Sequence, residues 1–319
     1  MRAVVLDAGT LTLRDRPIAA TDGECLIRVI AAGICGTDLE LRRGYAGFSG
    51  VPGHEFVGVV ETAGPDDQAW IGKRVAGEIT VGCEGCDGCR RAGRGHCDVR
   101  TVLGIRGRDG AFAEYLSLPP TNLHSVPDAI DDLTAVFVEP VAAACRILEQ
   151  VQVDHDTRAA VIGAGRLGLL VAQVLRHAGA QVTAIVRGER GRRAVKSLGL
   201  ESATADTPTS LARYFDMAVD TTGQTAGFAL TTSLVRPRGT VVVKSTFHGE
   251  TSVAVSPLVV DEITIVGSRC GPFKHAIALL AAGAINVKPL LTATYPLQDF
   301  AQAYNRATDG LKVILTTTA

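Results

Sequence analysis

The sequence predicts an α/β chain in which a doubly wound parallel sheet is joined to a β-rich unit. From Arg158 onward, apolar runs of strand length alternate with helix-length segments, the pattern of a parallel sheet covered by helices. Before about Asp131 the chain reads as short strands punctuated by Gly and Pro, with almost no helical periodicity. The 319 residues also exceed what one core usually holds, so two domains are expected. We place the β-rich unit at 1–145, the doubly wound unit at 146–267, and a return segment completing the first unit at 268–319.

Taken in order, strands are expected at Ala3–Leu6, Glu24–Ala32, Glu55–Ala63, Arg74–Gly77 and Ala113–Leu118. A helix follows in DDLTAVFVEPVAAACRILEQV, with Pro140 near its start and Ala143, Ile147 and Leu148 on one face. Six strands come next, at Ala159–Ile162, Gln181–Val186, Ser202–Ala205, Met217–Asp220, Thr240–Lys244 and Ile263–Gly267. Helices at Leu167–Ala178, Arg192–Leu198 and Gly227–Leu234 separate most of them. A helix over Lys274–Ala282 precedes YPLQDFAQAYNRATDGLKVILTT, read as a short helix and a terminal strand.

Composition excludes several classes. A hydrophobic fraction of 46% with 20% charge is that of a folded globular chain. A formal net charge of −1 offers no attraction to nucleic acid or an acidic membrane. The most apolar stretch, Val161 to Leu175, is too short to cross a bilayer, and the first residues lack the apolar core of a signal peptide. A cytoplasmic, reducing setting is the expectation, in which the clustered members of the eight cysteines read as metal ligands rather than disulfides.

VIGAGRLG sets Gly163, Gly165 and Gly168 in G-x-G-x-x-G spacing, with Arg166 and Leu167 between the last two, after an apolar strand and opening a helix. Gly163 makes the tight turn, Gly165 lets backbone approach a pyrophosphate, and Gly168 lets helix and strand pack closely. The helix N-terminus then offers free N–H groups to phosphates. The acid that usually binds the ribose about 20 residues on is absent, with Val186 and Arg187 where it would stand. Arg187, Arg190, Arg192 and Arg193 form a basic cluster there, which favours NADP(H) over NAD(H) because arginine pairs with a 2′-phosphate.

CEGCDGCRRAGRGHC puts Cys83, Cys86, Cys89 and Cys97 in C-x2-C-x2-C-x7-C spacing. Two-residue gaps turn thiolates inward onto one tetrahedral zinc, a closed and therefore structural site. An iron–sulfur run would want its fourth cysteine after three residues and a following Pro, whereas here Asp98 follows a gap of seven.

Three short pieces carry candidate chemistry: Cys35, Thr37 and Asp38 in AAGICGTDLE, His54 and Glu55 in VPGHEFVG, and Glu139 in VEPVAAA. With the four-cysteine lobe and the later glycine loop, their order resembles the zinc-containing medium-chain dehydrogenases/reductases, above all the sorbitol and polyol dehydrogenase branch. The resemblance spans nearly the whole chain. It implies a GroES-like catalytic domain beside a Rossmann domain, and a hydride transfer between a secondary alcohol or polyol, or its ketone, and NADP(H) or NAD(H). It further implies that Cys35, His54 and Glu139 reach a catalytic zinc with one open side, while the four cysteines hold a second zinc. Glu55 is implied to coordinate transiently or through water, Asp38 to fix the His54 tautomer, and Thr37 to relay the alcohol proton. Glu40 stands where relatives often carry an outer relay histidine.

Relatives of this type are commonly homo-dimers or homo-tetramers, which the resemblance extends to this chain. Arg269 in GSRCGPF stands near the cofactor phosphates or the substrate, or serves as an ion-pair partner. Asp220, Thr221 and Gly223 close a strand whose loop would touch the nicotinamide ribose, and His248 follows another strand end. Cys25, Cys145 and Cys270 read as small buried side chains. Two alternatives stay open, a zinc-free quinone or enoyl reductase and a non-catalytic cofactor-binding protein. Neither needs Cys35, His54 and Glu139 together.

Overall fold

The computed structural model describes residues 1–18, 21–204, 211–246 and 252–317, and divides them into two compact units. The first comprises Met1–Glu139 with Leu291–Ala319, the second Pro140–Leu290. The divisions fall at 139/140 and 290/291, against the expected joins at 145/146 and 267/268. The residues from 268 to 290 include a helix that belongs with the second unit.

In the first unit, β1 (Arg2–Asp7) and β2 (Thr10–Asp15) form an antiparallel hairpin. The long strand β3 (Cys25–Ile34) ends directly at the short helix α1 (Gly36–Leu41). Then come β4 (Glu55–Thr62), β5 (Arg74–Gly77), β6 (Thr80–Val81), α2 (Asp87–Ala92), β7 (Thr101–Val102), β8 (Tyr115–Leu118), β9 (Leu123–Ser125) and α3 (Asp132–Ala135). Helices α1 and α2, of six residues each, are too short for a 3.6-residue period to show in sequence.

Helix α4 (Val138–Gln150) opens the second unit, with Pro140 in its first turn, where a missing N–H leaves no helical bond unmade. The unit continues through β10 (Arg158–Ile162), α5 (Arg166–His177), β11 (Gln181–Val186), α6 (Gly188–Ser197), β12 (Glu201–Thr204), β13 (Phe215–Asp220), α7 (Thr225–Leu234), β14 (Val235–Val243), α8 (Val255–Val260), β15 (Thr264–Gly267) and α9 (Phe273–Ala281). Its sheet runs β12-β11-β10-β13-β14-β15 with every neighbouring pair parallel. Counted along the chain this is the order 3-2-1-4-5-6 of a doubly wound dinucleotide fold, its switch point lying between β10 and β13. Ala160, Ile162, Ile185, Phe215, Ala218 and Val241 fill the core between sheet and helices.

Returning to the first unit, β16 (Leu291–Pro296), α10 (Phe300–Asp309) and β17 (Lys312–Thr316) make a parallel β-α-β turn. β17 docks antiparallel on β3, completing the sheet order β16-β17-β3-β4-β5-β9, with β8 also paired to β3. Strand β16 and helix α8 have no counterpart in the sequence reading. Expected Ala205 and His248 lie outside the described residues. Among the described residues no helix is long and apolar enough to cross a membrane.

Candidate active site

Cys35 sits at the turn from β3 into α1, as the N-cap of that helix. Asp38, three residues on, returns its carboxylate to the Cys35 N–H at 2.7 Å, closing a capping box. The other Asp38 oxygen accepts from the Gly53 N–H at 3.2 Å and faces His54 Nδ1 at 3.6 Å. Gly53 holds φ +97°, and a Cβ there would stand 2.6 Å from the Phe112 ring, so only glycine presents the His54–Glu55 step at this place. Asp38, His54 and Glu55 are buried. Thr37 Oγ1 accepts from the Cys35 thiol at 3.8 Å.

One sulfur, one imidazole nitrogen and one carboxylate oxygen, from Cys35, His54 and Glu55, lie within 4.8 Å of one another. Glu139 is outside that trio but close enough for its charge to act on His54. The expected set was Cys35, His54 and Glu139; the structure gathers Glu55 into the group and keeps Glu139 at its margin. Burial would by itself lower the His54 imidazole, but Asp38, with Cys35 and Glu139 adding, carries it well above its ordinary value. Burial raises the Asp38 carboxyl. His54 Nδ1 has no hydrogen-bond partner among the described residues, the distance to Asp38 being too long. Surroundings that favour an imidazolium equally favour a divalent cation, and a thiol, an imidazole and a carboxylate are the donors zinc takes. The donor set therefore fits the metal.

Lys312, heading β17, was not singled out in sequence. It is 2% exposed and its ammonium donates to Glu55 Oε2. A lysine opening the apolar run KVILT, all buried as far as Leu315, is the signal that could have found it. Glu40, which stands where the resemblance expects an outer histidine, pairs with Arg43 at 2.6 Å.

The four-cysteine lobe closes on itself around α2. Cys97 Sγ stands 3.6 Å from Cys83 Sγ and 3.8 Å from Cys86 Sγ, and all four sulfurs lie within 4.8 Å. Backbone N–H groups of Cys83, Cys89 and Asp98 point at these sulfurs, as they do at thiolates. Desolvation and then the neighbouring thiols push the Cys89 thiol up to about 12. Arg94 ties the lobe to the body through Glu78 at 3.2 Å and Asn122 at 3.1 Å. Elsewhere burial pushes Cys25 to about 11 and Cys145 to about 12, making both inert; Cys270, expected buried, is half-exposed.

The glycine loop follows β10, at the carboxyl edge of the sheet beside its switch point. Gly165 caps α5, which Arg166, Leu167 and Gly168 begin. Thr221 Oγ1 donates to the Ile162 carbonyl at 2.8 Å, fastening the loop from β13. Val186 is buried at the end of β11 and Arg187 caps α6. Arg192 is tied to Glu189 at 2.9 Å, whereas neither Arg187 nor Arg190 has a carboxylate within 4.0 Å among the described residues. The carbonyl of Arg269 accepts from Lys244 Nζ, which also reaches Ser268 Oγ at 3.1 Å.

The sequence matches the family of the alcohol dehydrogenase GroES-like domain over residues 21–128 and that of zinc-binding dehydrogenases over 167–282. The chain belongs to the zinc-binding alcohol dehydrogenases. It is 31% identical over 309 residues to an L-galactonate-5-dehydrogenase of Escherichia coli K12, covering 92% of this chain and 90% of that one. A zinc-binding dehydrogenase of Sinorhizobium meliloti 1021 bound to NADP superposes with TM-score 0.90 at 26% identity, over 99% of this chain and 98% of that one. An alcohol dehydrogenase of Escherichia coli CFT073 complexed with NADH does so with TM-score 0.90 at 28% identity, over 99% of each chain. This zinc-binding alcohol dehydrogenase is thus an NAD(P)-dependent oxidoreductase of alcohols and polyols, its GroES-like and Rossmann domains those expected from sequence.

Proposed function

We propose that this chain is a two-zinc, NADP(H)-preferring dehydrogenase of a secondary alcohol or polyol, acting in the cytoplasm as a homo-oligomer. The observation that carries the reading is the buried convergence of Cys35, His54 and Glu55 within 4.8 Å, with the Glu139 charge beside it. Cys35 and His54, with Glu139, would hold the catalytic ion, Glu55 lying beside it and coordinating transiently or through water, and Cys83, Cys86, Cys89 and Cys97 would hold the structural one. Bound zinc supplies Lewis acidity that eases loss of the alcohol proton and polarises the carbonyl in reverse.

The chain's own groups do the rest. Asp38, 3.6 Å from His54 Nδ1, sets its negative charge on that side of the ring and would fix the tautomer on closing to hydrogen-bond distance. Thr37 Oγ1, beside Cys35, takes the proton from the substrate hydroxyl and passes it outward. The N–H groups at the start of α5, with Gly163 and Gly165, receive the pyrophosphate, and Arg187 with Arg190 the 2′-phosphate. Arg192, held by Glu189, supports that pair rather than binding directly.

The polyol or sugar-acid substrate class is supported by likeness to the galactonate dehydrogenase. Self-association is supported by β15, the outermost strand of its sheet, and by Val255, Val259 and Val260, exposed 61%, 69% and 79% just before it. The testing experiment is zinc analysis paired with His54→Ala. Two ions per chain falling to one, with turnover lost and fold retained, is the expected result. A wild-type chain carrying one ion, or a His54→Ala variant as active as wild type, defeats the proposal.

A further inference from the structure

The Glu55–Lys312 pair spans three strands. Glu55 on β4 faces Gly33 on β3, and β17 lies on the other side of β3 with Ile314 opposite Gly33. A Cβ on Gly33 would meet Glu55 Oε2 at 2.5 Å, Val136 at 2.8 Å and the Lys312 stem at 3.2 Å. The missing side chain is therefore the passage through which the lysine reaches across. Both partners' side chains are 2% exposed, and the ammonium also stands 5.7 Å from the centre of the Phe137 ring.

A buried ion pair of this kind is a poor way to gain stability, since desolvation consumes most of the attraction. Its placement suits another purpose. Cys35, Asp38, Glu55 and Glu139 are four acids gathered about His54, and Lys312 is the buried cation bonded to one of them. One Glu55 oxygen, Oε2, is committed to the lysine.

We propose that Lys312 is a positioning residue, holding the Glu55 carboxylate at the edge of the metal group so that it does not close the ion's open side. The inference rests on Cys35 and His54 being metal ligands, as proposed above. Without the ammonium, Glu55 is drawn fully onto the ion, which is then held more tightly and is less accessible.

The test uses the zinc-loaded wild-type chain, Lys312→Met, Glu55→Gln and the double variant. Zinc transfer to a chromogenic chelator is followed in time, and visible absorption is recorded after cobalt replacement. Lys312→Met is expected to slow release from this site about tenfold, the equivalent of 1.4 kcal/mol from the added Glu55 ligand, and to shift the cobalt bands towards a higher coordination number. In the Glu55→Gln background the lysine substitution changes neither. Unchanged release and bands in a folded Lys312→Met overturn the inference, as does an equal effect in both backgrounds, which marks a structural role. Should Lys312→Met not fold, the double variant, neutral at both positions, decides alone: release matching Glu55→Gln supports the proposal, and a difference overturns it. A wild-type chain that yields only the four-cysteine zinc removes the functional reading itself, and this inference with it.

Discussion

Two glycines of one loop separate folding from binding. A Cβ on Gly168 would stand 2.0 Å from the Gly163 carbonyl oxygen and 2.6 Å from Thr221 Oγ1. The first of these is backbone, at the end of β10, and cannot swing aside. Gly168→Ala must push helix α5 off the sheet, an overpacking cost of about 1–3 kcal/mol. For the unit Pro140–Leu290 this lowers Tm by about 2–4 °C per kcal/mol, so by about 6–12 °C at the upper end. A Cβ on Gly165 meets nothing within 4 Å, and the residue needs no positive φ. Gly165→Ala gains about 0.4–1 kcal/mol from a stiffer unfolded chain and loses a similar amount as a poorer N-cap. Its Tm should stay near wild type. The methyl would nevertheless stand where the pyrophosphate must approach, so NADPH affinity, read by the enhancement of its fluorescence, should fall at least about tenfold, the equivalent of 1.4 kcal/mol. Wild-type affinity in Gly165→Ala would refute the loop as the phosphate site, and wild-type Tm in Gly168→Ala would refute the steric account.

Asp38→Asn leaves one of the N–H groups of Cys35 and Gly53 without an acceptor, a cost of about 1–3 kcal/mol. Metal affinity should also fall about 10–100-fold by equilibrium dialysis, and an unaltered value would remove Asp38 from the site. Cys89→Ser should lower Tm and make it insensitive to chelator, whereas wild type loses stability on chelation; equal chelator sensitivity in both would contradict a four-thiolate ion. Arg187→Asp should turn the NADP/NAD ratio of kcat/KM towards NAD, and an unmoved ratio would acquit the arginine. Arg158 and Arg236 hold the Asp216 carboxyl well below its ordinary range, though desolvation opposes them. A depressed folded value contributes stability that is present above about pH 4 and lost as pH falls below it. Asp216→Asn should thus be less stable than wild type at pH 7, the gap narrowing on acidification in urea titrations; a constant gap would count against the linkage.

What was legible in sequence was whatever repeats a pattern or fills a motif. The doubly wound sheet announced itself because Val161, Ile185, Val219 and Val241 lie in apolar runs at regular spacing, each ending in a turn signal. The two clusters that contain cysteine were legible because their members are local in sequence or adjoin glycine-marked turns. β16 was not, since LTATYP has no buried residue, all being half-buried but the exposed Thr294, and no clear alternation. Glu139, expected as a ligand, lies outside the 4.8 Å group of Cys35, His54 and Glu55 and acts on His54 through its charge; a motif names a residue without fixing how far its carboxylate reaches. Lys312 was invisible for a different reason: its partner is 257 residues away, and no local spacing records a contact made across three strands. Charge in sequence does not show that Arg192, expected at the cofactor phosphate, pairs with Glu189 one helical turn back.

The strand that bears Lys312 lies between β16 and β3, inside the sheet rather than at its rim. On the ribosome, β3 and its Cys35 turn are made early and must wait for almost the whole polypeptide before their neighbour arrives. The intervening unit, contiguous from Pro140 to Leu290, can collapse meanwhile by itself and shorten the chain that has to be closed. Maturation should consequently be ordered, with amides of β10 to β15 gaining protection from hydrogen exchange before those joining β3 to β17. Simultaneous protection would argue for a single concerted event. A polypeptide stalled before residue 312 has every proposed ligand yet lacks the strand that pairs with β3 beside Cys35.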